Sequence, residues 1–225
     1  MVKRIYHGSA EPVKQPQYGL GKPYNDYGLG FYCTESKDMA KEWSVDLDRD
    51  GFANMYDIDM RGLTVLDLNS DEYNMLHWLT LLIQNRNFDV TSILANDAKK
   101  YLINNFNVDI SQIDIITGYR ADDSYFSFAQ DFLNGSISYR QLCSAMKLGQ
   151  LGQQFVLKSE KAFSKIKFVG YELTHSDVWY AKKKYRDDTA RKDYFDMEKS
   201  ARKPGDLYIT HIIDEEIRDD DLRLQ

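Results

Sequence analysis

The hydrophobic period of this chain changes twice, and those changes constrain its fold more than any other feature. Up to about residue 70, short apolar runs alternate with turn residues, as in "RIYHGS", "GFYCT" and "ANMYDIDM". That is the period-two pattern of strands. From residue 71 to about 149 the apolar positions recur at helical spacing, as in "DEYNMLHWLTLLIQN" and "TSILANDAKKYLINNF". Strand pattern returns in "QFVLKS" and "KFVGYEL". Strands, then helices, then strands predict an α+β fold whose sheet is completed across a helical insertion. A chain of 225 residues suits one large domain, or one domain carrying an insertion.

Local signals refine this outline. "ESKDMAKEWSVDL" predicts a helix with Met39, Ala40, Trp43 and Leu47 on one face, capped by Thr34 or Ser36. "ANMYDIDM" and "LTVLDL" predict a strand pair turned at Arg61-Gly62. "DDSYFSFAQDFLNG" predicts a helix stopped by Asn134-Gly135, and Ser138 with Gln141 predicts a capping box for the next helix, which Gly149 ends. "EKAFSKI" predicts a short helix. The charged stretch "AKKKYRDDTARKDYFDMEKSARKPG" predicts a solvated helix, too poor in apolar residues to be central to the core.

The only two cysteines, Cys33 and Cys143, are far apart and fit no metal or disulfide spacing, which suits a reducing cytoplasm. "MVKRIYHGS" has no apolar run and does not read as a secretory signal. "MLHWLTLLI" is too short to cross a bilayer and predicts a buried helix, so no membrane partner is expected. The net charge is −6, and residues 204–225 hold seven acidic against two basic residues. The rest is near neutral, which argues against duplex DNA binding through phosphate neutralisation. The acidic end reads as a solvated tail or a docking edge.

Three polar residues stand on strands that must pack together: His7, Tyr32 and Gln154. Singly, His7 reads as a satisfied structural residue, Tyr32 as core packing and Gln154 as a solvent-facing strand residue. Together, "YHGS", "GLGFYCTESKDMAKEW" and "GQQFVLKSEKAFSKIKF" resemble the three signature segments of the diphtheria-toxin-like ADP-ribosyltransferases, which include the poly(ADP-ribose) polymerases. That family shows histidine, tyrosine and glutamate on three strands. Its second strand has a glycine two residues before the tyrosine, as Gly30 stands before Tyr32, and an aromatic eleven residues after it, as Trp43 does. More narrowly, "NDYGLGFYCT" and "GYRADDSYFSFAQDFL" resemble a bacterial family catalogued as a domain of unknown function, number 3990.

The resemblance covers residues 4–173 and implies a split mixed β-sheet with a helical insertion at about 71–149, followed by a charged extension over 174–225. It also implies NAD as substrate, no metal, and loss of nicotinamide through an oxocarbenium-like state. Tyr32 and Trp43 would flank the nicotinamide, the backbone of Gly8 would hold its amide, His7 would bond the adenosine ribose, and Ser9 would assist. Loop 12–24 would cover the dinucleotide, with Lys14 or Lys22 on a phosphate. The expected activity is mono-ADP-ribosyl transfer to a protein or nucleic acid, as a toxin or regulatory effector, with a cognate antitoxin or regulator as a further partner.

Gln154 departs from that pattern, because the family has glutamate there. Glutamine keeps the hydrogen-bond acceptor for the ribose and loses the charge. A charge pair near 4 Å is worth roughly 4 kcal/mol at an effective dielectric of about 20, about a thousandfold in rate at most. This weighs against polymer formation and leaves single transfer available, since orientation carries much of the catalysis. Gln153 is the alternative if the register differs by one. The competing expectation is an inactive nucleotide-binding or protein-interaction module on the same fold. In "GYRADD", Asp122 or Asp123 could cap the next helix, while Arg120 could pair with a pyrophosphate or acceptor phosphate. A Cys33–His7 hydrolase is disfavoured, because a mid-strand cysteine lacks a helix N-terminus to lower its pKa. His77, His175 and His211 match no metal spacing.

Overall fold

The computed structural model describes residues 1–121, 123–148, 152–199 and 203–225. The cap expected at Asp122 and the helix stop at Gly149 lie outside them, as does the Asp123 side chain. The chain begins with strands β1 (Val2–Ser9) and β2 (Phe31–Cys33), helix α1 (Lys37–Ser44), and strands β3 (Gly51–Asp59) and β4 (Val65–Asp67). Helices α2 (Met75–Asn85) and α3 (Ile93–Asn105), strand β5 (Ile115–Tyr119), and helices α4 (Asp123–Leu133) and α5 (Tyr139–Ala145) follow. Then come β6 (Gln153–Leu157), α6 (Glu160–Ser164), β7 (Ile166–Thr174), α7 (Ser176–Glu198) and α8 (Ile209–Asp214).

The strands form two sheets, with orders β1-β3-β7 and β2-β6-β5-β4. All pairs are antiparallel except β4 with β5. The sheets are joined where Tyr6 and Thr34 exchange backbone hydrogen bonds of 2.8 and 2.9 Å. Ile5, Cys33, Tyr56, Ile58, Phe155 and Leu157 pack in the smaller core cluster, which takes side chains from both sheets. The larger cluster is built around α2, whose residues Met75 to Ile83 are all buried, as its unbroken apolar run predicts.

Four expectations need correction. β3 and β4 do not pair as a hairpin. Gly62 does make the turn, at φ +72°, but both edges of β3 are taken by β1 and β7, so the chain crosses to the other sheet. The helical block is not all helix: β5 lies inside it, between β4 and β6. A five-residue apolar run does not declare its period, so "IITGY" is indistinguishable from a helix segment by pattern alone. α1 is capped by Ser36, whose side chain accepts from Met39 N, and ends at Ser44, so Leu47 is off the helix and exposed.

The fourth correction concerns the C-terminal end: α7 is the largely solvated helix expected, with Ala190 and Tyr194 its buried residues, but the residues beyond it are not a tail. Tyr194 of α7 is buried, stacks on Phe128 at 3.7 Å and donates to Asp131 Oδ2 at 2.6 Å. Leu207, Ile209, Ile212, Ile217 and Leu224 join the larger core. Tyr139 donates its hydroxyl to Leu224 O, and Tyr101 to Ile217 O, both at 2.9 Å. The acidic residues between these anchors face outward, so composition hides an amphipathic end.

Candidate functional site

The join between the sheets opens into a cleft of about 780 Å³. β1 supplies His7 and Gly8, β2 supplies Phe31 and Tyr32, and α1 supplies Glu42 and Trp43. Gln154 comes from β6, Arg120 from the residue after β5, and Arg86 from the cap of α2. Residues 15–22 form one wall, and Gly30 lies at its base. Lys183, Asp187 and Arg191, one face of α7 at four-residue spacing, form another. The site therefore gathers His7, Gly8, Gly30, Tyr32, Trp43, Arg120 and Gln154. Ser9 does not line it. Its hydroxyl accepts from Asn54 Nδ2 at 2.8 Å and donates to Glu11 O at 2.7 Å, holding the start of the loop. Lys22 lines the cleft, whereas Lys14 does not.

The glycine of "YHGS" has a packing reason. A Cβ on Gly8 would stand 2.1 Å from Ala40 O and 2.8 Å from Ser44 N, so β1 could not lie against α1 with any side chain there. Gly118 serves similarly, because a Cβ would meet the Tyr27 hydroxyl at 2.3 Å. That hydroxyl donates to Tyr119 O at 2.6 Å. The "GY" of "GYRADD" is thus a seat for Tyr27.

His7 Nδ1 lies 2.7 Å from Tyr32 O. A carbonyl only accepts, so Nδ1 carries the proton and Nε2 is the acceptor of the neutral ring. The ring packs on Phe31 at 4.4 Å. Burial holds its pKa below the ordinary histidine value, against the raising effect of the Tyr32 carbonyl. A lowered pKa means that the unfolded chain takes the proton first, so stability is lost as pH falls below the free value of about 6.5. The stability advantage of the wild type over His7→Gln is therefore expected to shrink between pH 7 and pH 5 in paired thermal melts. A difference that does not move with pH would mean that His7 is not desolvated.

Tyr32 closes the loop as well as lining the cleft. Its hydroxyl donates to Gly28 O at 2.6 Å and accepts from Tyr27 N at 3.0 Å. Burial pushes its pKa up. Lys158 Nζ donates to the carbonyls of Tyr27 and Leu29, and burial lowers its pKa to about 8.

The register of β6 is settled by burial. Gln154 pairs with Gly118 and is buried, while Gln153 pairs with Tyr119 and is exposed. Gln154 Nε2 donates to Asp26 Oδ2 at 3.1 Å. Among the described residues its Oε1 is buried without a hydrogen-bond partner, and so is Trp43 Nε1. One orphan acceptor and one orphan donor thus belong to residues of the same cleft. Native buried polar groups are rarely left so unless a ligand or water meets them.

Asp26 is the residue that sequence reading missed. Its side chain is 4% exposed, Oδ1 lies 2.9 Å from Arg86 Nη1, and Oδ2 accepts from Ala121 N at 2.9 Å. Burial raises its pKa, opposed by the Ala121 N–H, Arg86, Arg120 and Gln154. The available signal was a lone carboxylate between aromatics in "YNDYG". Glu42 is also buried, paired with Arg186 of α7, and its pKa is raised by burial. Arg120 stacks its guanidinium 4.7 Å above the Trp43 ring. A ring stacking on Trp43 must take the other face or displace that guanidinium. Lys22, Arg86, Arg120, Lys183 and Arg191 outnumber Asp26, Glu42 and Asp187 along the lining, which favours an anionic ligand.

Cys33 is fully buried in the smaller core, and burial pushes its thiol pKa well up, which removes the thiolate a hydrolase would need. His77 and His211 accept from the backbone at the caps of α2 and α8, and His175 pairs with Asp50. Among the described residues no three His, Cys, Asp or Glu are grouped to hold a metal, and no helix is long and apolar enough to cross a membrane.

The family described as "Protein of unknown function (DUF3990)" matches residues 3–168. The chain belongs to the DUF3990 family. The match runs from β1 into the first three residues of β7 and so takes in the four-stranded sheet, β1 and β3, and most of the cleft. It stops short of α7, so the wall carrying Lys183, Asp187 and Arg191 lies outside the matched residues. No curated protein and no solved structure matches the chain.

Proposed function

We propose that this DUF3990 chain binds NAD in the cleft and transfers ADP-ribose from it to a macromolecular acceptor, a protein or nucleic acid. The observation that carries this reading is the convergence of His7, Tyr32, Trp43 and Gln154, from four separate elements, on one cleft with an excess of basic residues. Gln154 Oε1, an acceptor without a partner, suits a ribose hydroxyl. Arg120, Lys183 and Arg191 suit the pyrophosphate. In the reaction the C1′–N bond to nicotinamide breaks and nicotinamide leaves with the electron pair. The acceptor forms the new bond at C1′ and releases its proton. The reading makes the chain a mono-ADP-ribosyltransferase of toxin or effector type, with a cognate antitoxin or regulator as a further partner. The amide at 154 favours a second reading, in which NAD or another nucleotide is bound and not cleaved.

Labelled NAD incubated with the protein and a cell lysate separates the two. Label that becomes macromolecular, and is released by protease or by nuclease, supports transfer and names the acceptor class. NAD titration should also quench tryptophan fluorescence, because Trp43 lines the cleft, whereas Trp78 is buried in the core and Trp179 of α7 is not among the lining residues. Trp43→Phe is expected to abolish most of that quench. A quench that survives the substitution places the ligand elsewhere.

A further inference from the structure

We propose that Asp26 is a positioning residue that supplies, through Gln154, the negative charge that an amide at position 154 lacks. The proposal rests on the NAD reading above. Gln154 Nε2 is the donor to Asp26 Oδ2 at 3.1 Å, and a carboxylate can only accept. That bond fixes which end of the amide is which, and leaves Oε1 as the acceptor without a partner. An amide whose N–H donates to a carboxylate is polarised, and its oxygen becomes a stronger acceptor. The charge lies one hydrogen bond behind the contact atom instead of on it.

The surroundings fit a carboxylate placed for this purpose. Asp26 accepts from Ala121 N at 2.9 Å and from Arg86 Nη1 at 2.9 Å, so three donors from three segments converge on it. Burial acts most strongly on Asp26 and raises its pKa, the Ala121 N–H, Arg86, Arg120 and Gln154 oppose this and favour the ionised form, and Tyr27 and Tyr32 are the neighbouring phenols. The pair also accounts for glutamine at 154. A glutamate there would set two carboxylates within hydrogen-bond distance, and the two would share a proton.

The test is a double-mutant cycle on the full chain, reading NAD cleavage and NAD affinity together. Asp26→Asn is expected to lower kcat about tenfold or more while the NAD Kd changes by less than about threefold, because the polarised oxygen matters most as positive charge develops. The added substitution Gln154→Glu in that variant moves the carboxylate from 26 to 154 and is expected to recover turnover. A merely structural Asp26, holding Ala121 and Arg86, gains nothing from a change at 154, so absence of rescue overturns the proposal. Unchanged turnover in Asp26→Asn also overturns it and leaves the NAD reading standing. A wild type that neither binds nor cleaves NAD overturns both. Should Asp26→Asn fail to fold, Gln154→Glu alone decides. Its stability relative to wild type should fall as pH rises through the shared titration, since the folded pair holds a proton that the unfolded chain has released. No such pH dependence means that the two side chains are not coupled, and the proposal fails.

Discussion

A chain ending at residue 203 is expected not to fold. It lacks Leu207, Ile209, Ile212, Ile217 and Leu224, all of them in the larger core. Burying one such side chain contributes about 1.5–3 kcal/mol, so the five together rival the whole stability of a typical domain, about 5–15 kcal/mol. The loss is compounded at the polar anchors. Tyr139 O–H and Tyr101 O–H lose the carbonyls of Leu224 and Ile217, and Arg140 loses its bidentate partner Asp206. Circular dichroism and thermal melting of the truncated and full chains provide the check. The acidic residues alone are a different matter. Neutralising exposed Asp219 and Asp220 is expected to change stability by less than about 0.5 kcal/mol, as at ordinary surface sites. A truncated chain that melts cooperatively within a few degrees of the full one would mean that these residues are the tail their composition suggests.

Gln154→Ala is expected to lower NAD turnover about 10- to 100-fold while changing the NAD Kd by less than about threefold. The lost acceptor matters more once positive charge develops at the ribose than when the substrate first binds. Gln153→Ala is expected to change neither quantity, because that side chain is exposed on the opposite face of β6. Turnover and affinity measured for both variants settle the matter. Equal losses in both, or a loss in affinity alone, would remove Gln154 from the reacting centre. The sequence alone suggests that Gln154→Glu should increase cleavage by restoring a charge. The Asp26 carboxylate beside it changes that expectation. With Asp26 in place the gain is cancelled by repulsion or by a shared proton, and it should emerge only when Asp26 is also neutralised.

Much of the architecture is legible where a signal is local. The strands at β1, β2, β6 and β7, the buried α2 helix and the capping box of Ser138 with Gln141 all follow from spacing within a dozen residues. β5 is not legible, because its five residues carry no period and its identity comes from pairing with β4 on one side and β6 on the other. The candidate site divides in the same way. His7, Tyr32, Trp43 and Gln154 are singled out by the resemblance of their short segments, not by any period of their own. Asp26, Arg86 and the α7 face stand in segments that look like loop, helix end and solvated helix.

Sequence by itself determined the class of fold and the strands β1 and β2, because these depend on side-chain period, and the resemblance of short segments singled out the four residues from which the cleft is read. Tertiary structure alone decided that "YHGS" needs its glycine to lie against α1, that Gln154 faces inward, and that the Asp26 carboxylate stands beside Gln154. It also decided that the charged C-terminal residues complete the core and wall the cleft. The physical reason is common to all four. Asp26 and Gln154 are 128 residues apart, Gly8 and Ala40 are 32 apart, and Met39 meets Arg186 across 147. Burial, close approach and charge pairing act through space, so at such separations no pattern along the chain encodes them.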